Sequence, residues 1–302
     1  MRATRVPLWA PLLAVAACLA FIAAVASPIR NNPGGQPLPE PSPSHPIAFY
    51  DEREFGAALN QTQSAPVQTM PGAHVVIVPH HWLPGYLITE GFRDLAATRR
   101  ISRVILVGPD HVNAGIAPAT TSTLAWNTPF GQLAPASDAI AGLISGGLVE
   151  ADPETLAHEH SIAGIVHAVA YYMPDATIVP IALRHDMTPD QVSALASAVD
   201  SLVDDETAVV IAEDFSHYLS APEAEANDKQ TLAALSAMDS SQVALWGNEH
   251  LDSPQSVELA IDLARLLGDD TFVLRQNTNS GILSGTLTPP VTSYIAGYFT
   301  AR

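Results

Sequence analysis

Three short apolar runs, each followed within a few residues by histidine, constrain the fold more than any other feature of this chain. The runs Val75–Val78, Val104–Val107 and Val209–Ala212 lead into Pro79-His80-His81, Gly108-Pro109-Asp110-His111 and Glu213-Asp214-Phe215-Ser216-His217. Continuous runs rich in β-branched residues are typical of strands that are buried on both faces of a parallel sheet. Because ligands bind outside the carboxyl ends of such strands, the pattern predicts one crevice lined by imidazole and carboxylate groups.

The remaining sequence alternates strand-like with helix-like stretches, which predicts a single layered αβα domain with a largely parallel or mixed central sheet. Further strands are expected over 177–183, 271–275 and 291–299. Pro180 favours an edge position or a bulge for its strand, because proline cannot donate to the ladder. Thr188 and Pro189 are a good N-cap and first-turn pair for a helix over 189–203. The segment 112–135 is expected to be irregular.

The first 26 residues have the pattern of an export signal. Arg2 and Arg5 precede an apolar run, Leu8–Ala26, which ends in a small-x-small sequence typical of a cleavage site. The run is at the short edge of membrane-spanning length, so an uncleaved anchor is the alternative. We therefore expect an exported protein, secreted, periplasmic or membrane-anchored, whose domain lies outside the cytoplasm and touches a membrane only through an uncleaved N-terminal segment.

Cys18, inside that run, is the only cysteine of the chain. If it is removed with the signal, the mature protein has no disulfide, no zinc–thiolate site and no cysteine nucleophile. The stretch 27–46 is rich in Pro, Gly, Asn and Ser, and 27–70 is interpreted as a tether and lead-in with a short helix near 52–60. The folded core is expected over 71–302.

The formal net charge of −18 disfavours nucleic acid as a partner, because an acidic surface repels phosphate backbones. Lys229 is the only lysine, and the sequence contains no phosphate-binding G-x-x-x-x-G-K-[ST] motif. The expected partner is a small-molecule or peptide ligand.

His80 and His111 are the strongest candidates for metal ligands. Each follows an apolar strand after a Pro or Gly-Pro turn, and neutral imidazole is the commonest metal ligand in proteins. The alternative is that either residue is only a hydrogen-bonded turn histidine. His81 adjoins His80 and is expected to point elsewhere.

Asp214 and His217 stand three residues apart after the third strand, a spacing that suits a carboxylate-oriented imidazole acting as a general base or third ligand. Ser216 invites a Ser-His-Asp interpretation, but the G-x-S-x-G elbow of serine hydrolases is absent. We therefore rank serine hydrolysis below a metal or acid/base site.

His158-Glu159-His160-Ser161 precedes a helix with an apolar face. Glu159 or Ser161 can simply cap that helix. The functional alternative puts His160 at the helix N-terminus, facing the crevice, where the helix dipole lowers the pKa of an imidazole.

Seven segments, taken in order over residues 71 to 302, resemble the Memo family, also known as AmmeMemoRadiSam system protein B. They are Pro79-His80-His81-Trp82-Leu83-Pro84-Gly85-Tyr86, Gly108-Pro109-Asp110-His111, Thr128-Pro129-Phe130-Gly131, Glu159-His160-Ser161-Ile162, Ile178-Val179-Pro180-Ile181, Glu213-Asp214-Phe215-Ser216-His217 and Ser293-Tyr294-Ile295-Ala296-Gly297. Any one motif is weak, but seven in order are specific.

The resemblance implies a fold like that of class III extradiol ring-cleaving dioxygenases, which hold non-haem iron with two histidines and one carboxylate. It also implies a crevice lined by His80, His111 and His217, with Asp214 and His160 close by. In some family members a Cys-Gly pair before a late helix contributes a cysteine to this crevice.

This chain departs from the family pattern at two places. Where the Cys-Gly pair would stand it has Asp252-Ser253, just before a helix that starts near Pro254. Asp252 is either the N-cap of that helix or, with the two strand-end histidines, the carboxylate of a site suited to ferrous iron. Glu249 and His250 are nearby alternatives. The sequence His81-Trp82-Leu83-Pro84 also replaces a small Ala-Gly region, which predicts a differently shaped pocket mouth.

The sequence therefore predicts a Memo-like protein whose metal ligands are His80, His111 and Asp252, with iron as the expected metal and zinc or another divalent ion as the alternative. His217, oriented by Asp214, is the expected acid/base group, and His160 is expected to stabilise the substrate or bound oxygen. Two other functions remain open, a non-catalytic ligand-binding protein and a metal-dependent hydrolase.

Overall fold

The structure is a computed structural model that describes residues 43–286 and 290–301. The expected export segment, 1–26, lies outside the described residues, as does the tether up to residue 42. Within the described part, none of the helices has both the length and the apolar composition needed to cross a membrane.

The described strands form one mixed sheet. They are β1 (Ser44–His45), β2 (Val75–Val78), β3 (Arg103–Pro109), β4 (Ala119–Thr121), β5 (Ala125–Thr128), β6 (Gly131–Pro135), β7 (Glu150–Ala151), β8 (Thr177–Leu183), β9 (Thr207–Ala212), β10 (Thr271–Asn279) and β11 (Ser293–Thr300). Their order is β1-β5-β6-β8-β3-β9-β2-β11-β10, with β4 joining β7 to β8. Strands β8, β3, β9 and β2 run parallel, while β11 and β10 continue the sheet in antiparallel pairing.

Helices cover the sheet. They are α1 (Glu52–Ser64), α2 (Gly85–Thr98), α3 (Ser137–Ser145), α4 (Pro153–His158), α5 (His160–Ala163), α6 (Val166–Tyr172), α7 (Pro189–Asp200), α8 (Ala221–Ala237), α9 (Ser240–Val243), α10 (Pro254–Leu267) and α11 (Ser280–Ser284). The predicted N-cap of α7 is confirmed, because Thr188 and Gln191 form a capping box with Pro189 at the first helical position.

Alternate residues of each central strand face opposite sides of the sheet and enter different apolar clusters. Val75 and Ile77 of β2 pack in the cluster that includes α3, α7 and α10, whereas Val76 and Val78 pack in the cluster that includes α1, α2 and α6. All four side chains are buried. The sheet is therefore apolar on both faces and lies between two helical layers, which confirms the predicted αβα domain.

The segment 112–135 is more regular than expected, since it contributes β4, β5 and β6. These strands are short, and only β5 alternates buried and partly exposed residues, so their periodicity is hard to recognise. The tertiary pairing of β4 and β6 with β8 stabilises them in place of a strong local pattern.

Pro180 lies neither at the sheet edge nor at a bulge. It sits inside β8 at the point where the neighbouring strand changes from β6, which pairs up to Ile178, to β4, which pairs from Ile181. The missing N–H of the proline therefore falls in a gap of the ladder, and its carbonyl accepts a hydrogen bond from Thr121 Oγ1 at 2.7 Å.

The fold begins before Pro71, earlier than the composition indicated. His45 is buried and stacks on Trp126 with ring centroids 3.9 Å apart. In α1, Phe55 is buried and packs against Trp82 and Phe130. The Pro- and Gly-rich composition ends at Pro46, and Ala48, Tyr50 and Phe55 after it pack against the domain.

Candidate metal centre

The ends of β2 and β3 place two histidines on either side of β9. His80 follows β2 and His111 follows β3, and both strands pair in parallel with β9. The polar residues that follow these strands therefore emerge at one edge of the sheet. Asp214, just after β9, contacts the segment that follows β2, because its Oδ1 accepts a hydrogen bond from the His80 backbone N–H at 3.0 Å.

The imidazole of His80 is held in one tautomer. Its Nδ1 lies 3.2 Å from the carbonyl oxygen of Ala212, and since a carbonyl can only accept, Nδ1 carries the proton. The Nε2 atom is buried and has no hydrogen-bond partner among the described residues. Burial lowers the pKa of His80, so the ring is neutral and Nε2 presents a lone pair.

His111 bridges two carboxylates. Its Nδ1 lies 2.8 Å from Oε1 of Glu159, and its Nε2 lies 2.8 Å from Oδ2 of Asp252. Burial alone would lower the pKa of His111, but the hydrogen bonds to Asp252 and Glu159 raise it to about 10. Without a bound metal ion, both ring nitrogens of His111 are therefore protonated.

Glu159 fixes the position of His111 through several contacts. Its Oε2 accepts the His111 backbone N–H at 2.9 Å, and its Oε1 accepts the backbone N–H of Ser161 at the start of α5. Although burial opposes ionisation, the hydrogen bond from His111 lowers the pKa of Glu159 to about 2. The residue caps a helix, as expected, and also orients an imidazole.

Asp252 reaches the crevice because a short bridge ties its segment to the end of β9. Phe215 and Leu251 form an isolated β-bridge, and the backbone N–H of Asp252 donates to the carbonyl oxygen of Asp214 at 3.0 Å. Its Oδ2 lies 3.5 Å from His80 Nε2. Burial opposes ionisation of Asp252, but the hydrogen bond from His111 holds the pKa of the carboxyl below its ordinary value.

One potential ligand atom each from His80, His111 and Asp252 lies within 4.8 Å of the others. Metal–ligand bonds of about 2.1 Å bring neighbouring donor atoms to roughly 3 Å apart, so a divalent ion fits with small side-chain movements. The ion would be bound by the lone pair on Nε2 of His80. On His111 it would replace the proton on Nε2. Each imidazole already donates its other N–H to an oxygen, the arrangement that orients metal-binding histidines.

His81 and His160 lie beside this group. The ligand atoms of His80, His81 and His160 also lie within 4.8 Å of one another, as do those of His111, Glu159 and His160. The His160 ring stacks on that of His111 with centroids 4.1 Å apart. Burial together with the nearby charge of His111 lowers the pKa of His160 to about 4, so its imidazole is neutral near pH 7.

A cavity of about 560 Å³ opens against these histidines. His80, His81 and His160 line one part of it, and the lead-in segment supplies Phe49 and Tyr50. Residues before the first central strand therefore help to form the space in front of the candidate metal centre.

Comparison with known proteins identifies the family. The family described as "Memo-like protein" matches residues 42–298, which is most of the chain. The chain belongs to the Memo-like family. The matched region begins at residue 42 and therefore includes the lead-in segment that packs on the domain.

Relatives of this chain include several MEMO1 family proteins. A MEMO1 family protein of Methanopyrus kandleri is 29% identical over 200 residues, covering 64% of this chain and 69% of the relative. Another, from Aeropyrum pernix, is 29% identical over 219 residues, covering 69% and 77%. The crystal structure of an uncharacterized Escherichia coli K12 protein matches with a TM-score of 0.50 and 12% identity, covering 74% of this chain and 98% of the other. That likeness concerns the fold alone.

In this Memo-like chain Ser253, and not Asp252, provides the N-cap of α10. The Ser253 hydroxyl accepts the backbone N–H of Ser256 at 3.1 Å, and α10 begins at Pro254. The carboxylate of Asp252 is therefore not used as a cap and points to His80 and His111. The cap alternative is therefore excluded, and Asp252 belongs to a group of three side chains that could hold a metal ion.

The expected pairing of Asp214 with His217 is wrong. Asp214 Oδ2 contacts Nδ1 of His81, and Nδ1 of His217 is buried without a hydrogen-bond partner among the described residues. The hydrogen bond from Asp214 to the backbone of His80 turns its carboxylate toward the β2 end, where His81 follows directly. His81 therefore faces the site, contrary to expectation, and contact with Asp214 raises its pKa.

Ser216 is not a nucleophile in a catalytic triad. Its hydroxyl lies 2.8 Å from Oδ1 of Asp228, which also accepts from the hydroxyl of Ser293. No hydrogen bond between described residues joins Ser216 to a histidine. The Ser-His-Asp interpretation therefore has no geometric support.

The alternatives Glu249 and His250 do not join the candidate metal centre. Glu249 is exposed, and His250 stacks on Trp246 with centroids 4.4 Å apart. The residues that sequence reasoning underrated are His81 and Glu159. The two adjacent histidines after β2 were the available signal for His81. Nothing in the sequence indicated that Glu159 contacts His111.

Proposed function

We propose that this Memo-like protein binds a divalent metal, iron in its functional form, through His80, His111 and Asp252, and that it is a redox enzyme. The observation that carries the proposal is the buried Nε2 of His80. It has a fixed lone pair and no hydrogen-bond partner among the described residues, and Asp252 Oδ2 lies 3.5 Å away. A site of two histidines and one carboxylate with open positions suits ferrous iron, which would supply redox chemistry toward dioxygen and a bound substrate.

The neighbouring residues have distinct proposed roles. Glu159 and the Ala212 carbonyl hold the two ligand imidazoles in the required tautomers. His160, neutral near pH 7, can donate or accept one hydrogen bond to a substrate in the cavity.

Two groups are available for proton transfer. His81, oriented by Asp214, is the first, since it lines the cavity and has a carboxylate partner. His217 is the second, because its Nδ1 is buried and has no hydrogen-bond partner among the described residues. Variants at each residue, compared for the pH dependence of turnover, would distinguish them.

Elemental analysis of the full chain, purified without added metal and again after loading with ferrous iron, tests the proposal. We expect about one iron per chain in the wild type and in His158→Ala, a control whose imidazole is largely exposed. His80→Ala should lose the metal. Equal metal in His80→Ala and in the wild type would contradict the ligand assignment.

The metal found decides between functions. Iron that changes oxidation state on exposure to dioxygen supports redox chemistry. Zinc retained in preference to iron would favour hydrolysis through an activated water, and no retained metal in any preparation would favour a non-catalytic binding protein.

We also propose that the protein is exported. The support is the sequence of residues 1–26, with two arginines, an apolar run and a small-x-small end. Fractionation of expressing cells, with mass spectrometry of the mature N-terminus, tests it. Protein confined to the cytoplasm with an intact Met1 would contradict export.

A further inference from the structure

One wall of the cavity, beside the histidines, is aromatic and acidic. Phe49, Tyr50 and Trp82 line it together with Tyr294, and the acidic residues Asp51 and Glu54 belong to the same lining. No lysine or arginine occurs among the described residues that form this wall. This combination differs from a general apolar pocket, because both the aromatic faces and the carboxylates attract positive charge.

Phe49 is held over the site in an unfavourable backbone conformation. Its φ angle is +51°, which is rare for an aromatic residue, and its side chain is 49% exposed. Its ring centroid lies 6.1 Å from that of His160. An exposed apolar ring that is kept in a strained conformation beside a polar cluster indicates a contact surface for a ligand.

The neighbours of Phe49 explain how the strain is maintained. The carbonyl oxygen of Ala48 accepts a hydrogen bond from Nε2 of His167 at 2.8 Å, and the ring of Tyr50 packs edge-on against the same imidazole. Both flanking residues are therefore anchored to α6. The chain between them has to turn Phe49 outward, toward the mouth of the cavity.

The charge of the histidine side does not offset the acidic wall. His81 is paired with Asp214, so this contact adds no net positive charge to the cavity. The whole chain has a formal net charge of −18. Anionic substrates are therefore disfavoured both at a distance and within the cavity.

We propose that the cavity binds a small organic cation, an ammonium group carried on an aromatic or branched apolar body. The apolar body packs on Phe49 and Trp82, and the ammonium group lies toward Asp51 and Glu54. This inference rests on the proposed function only in that the adjacent metal centre would act on the bound molecule. The binding preference itself requires no metal.

Calorimetric titration of the full-length protein, freed of metal with a chelator and checked for folding by circular dichroism, tests the proposal. The probes are 2-phenylethylamine and 3-phenylpropionate, which carry opposite charges on similar bodies. We expect the amine to bind at least about tenfold more tightly than the acid. Equal binding, tighter binding of the acid, or no binding of either probe would overturn the proposal.

Variants on α1 provide the matched comparison. Glu54→Gln should weaken binding of the amine about fivefold, whereas Glu52→Gln on the same helix, outside the cavity lining, should leave it unchanged. Phe49→Gly should weaken both probes while relieving the positive φ angle. Equal effects of the Glu54 and Glu52 variants would contradict the acidic wall as the cation site.

This outcome can be separated from that of the metal proposal. Metal binding without any amine preference would overturn only the cation site. Amine binding by a protein that retains no metal would overturn only the redox function.

Discussion

Oδ2 of Asp252 lies 2.8 Å from Nε2 of His111, although 141 positions separate the two residues. This contact joins a residue that precedes a late helix to a residue that ends an early strand. It completes a group of two imidazoles and one carboxylate at the carboxyl edge of the parallel strands.

Replacing Asp252 with Asn should weaken metal binding by more than about 100-fold, since a neutral amide replaces a charged ligand. Competitive titration with ferrous iron or cobalt, in the full chain, measures the affinity. Asp138→Asn, an exposed position at the start of α3, is the matched control and should bind like the wild type. Similar affinities for the two variants would show that Asp252 is not a ligand.

Glu159→Gln should reduce metal affinity by about 10- to 100-fold, because it removes the charge that receives the Nδ1–H of His111. The same metal titration measures this loss. Glu154→Gln, one turn earlier and largely exposed, should have no effect. Unchanged metal affinity in the Glu159 variant would show that this residue only caps α5.

Gly108→Ala should destabilise the protein by about 1–3 kcal/mol, since a Cβ atom there would lie 2.6 Å from Oγ of Ser161. Urea unfolding measures the free energy, and altered metal affinity would report displacement of α5. Gly142→Ala is the control, because a Cβ atom at this exposed helical position meets nothing within 4 Å. That variant should be as stable as the wild type or up to about 1 kcal/mol more stable. Equal losses in both variants would contradict the close packing at Gly108.

Glu258 should make stability depend on pH, because burial and then the charge of Asp262 raise its pKa to about 7 from 4.5. In the unfolded chain the carboxyl ionises near pH 4.5, whereas in the folded protein it stays protonated up to about pH 7. The contribution of Glu258 to the free energy of unfolding is therefore fully present below pH 4.5 and is lost as the pH rises to 7.

Glu258→Gln tests this dependence, since glutamine does not titrate. Relative to wild type, the variant should gain about 1–2 kcal/mol in free energy of unfolding between pH 4.5 and pH 8. Urea unfolding at both pH values measures the difference, and other titrating groups cancel in the comparison. A constant difference between variant and wild type would contradict the raised pKa.

Much of the fold follows from local sequence patterns. The apolar runs of β2, β3 and β9 predict buried parallel strands, and Thr188-Pro189 predicts the start of α7, because these signals act over a few residues. The convergence of His80 and His111 follows from the same reasoning, since parallel strands end at one edge of a sheet. The packing of the lead-in segment on the domain was not predicted, because it depends on distant aromatic partners such as Trp126 and Phe130.

The chemistry of the site depended on contacts that local patterns do not encode. Sequence alone determined the strand-end histidines and left Asp252 as either a cap or a ligand. Tertiary structure excluded the cap, because Ser253 caps the helix and the Phe215–Leu251 bridge brings the Asp252 carboxylate to His111. It also directed Asp214 to His81 instead of His217, since side-chain hydrogen bonds depend on distances in space and the i, i+3 spacing does not determine them.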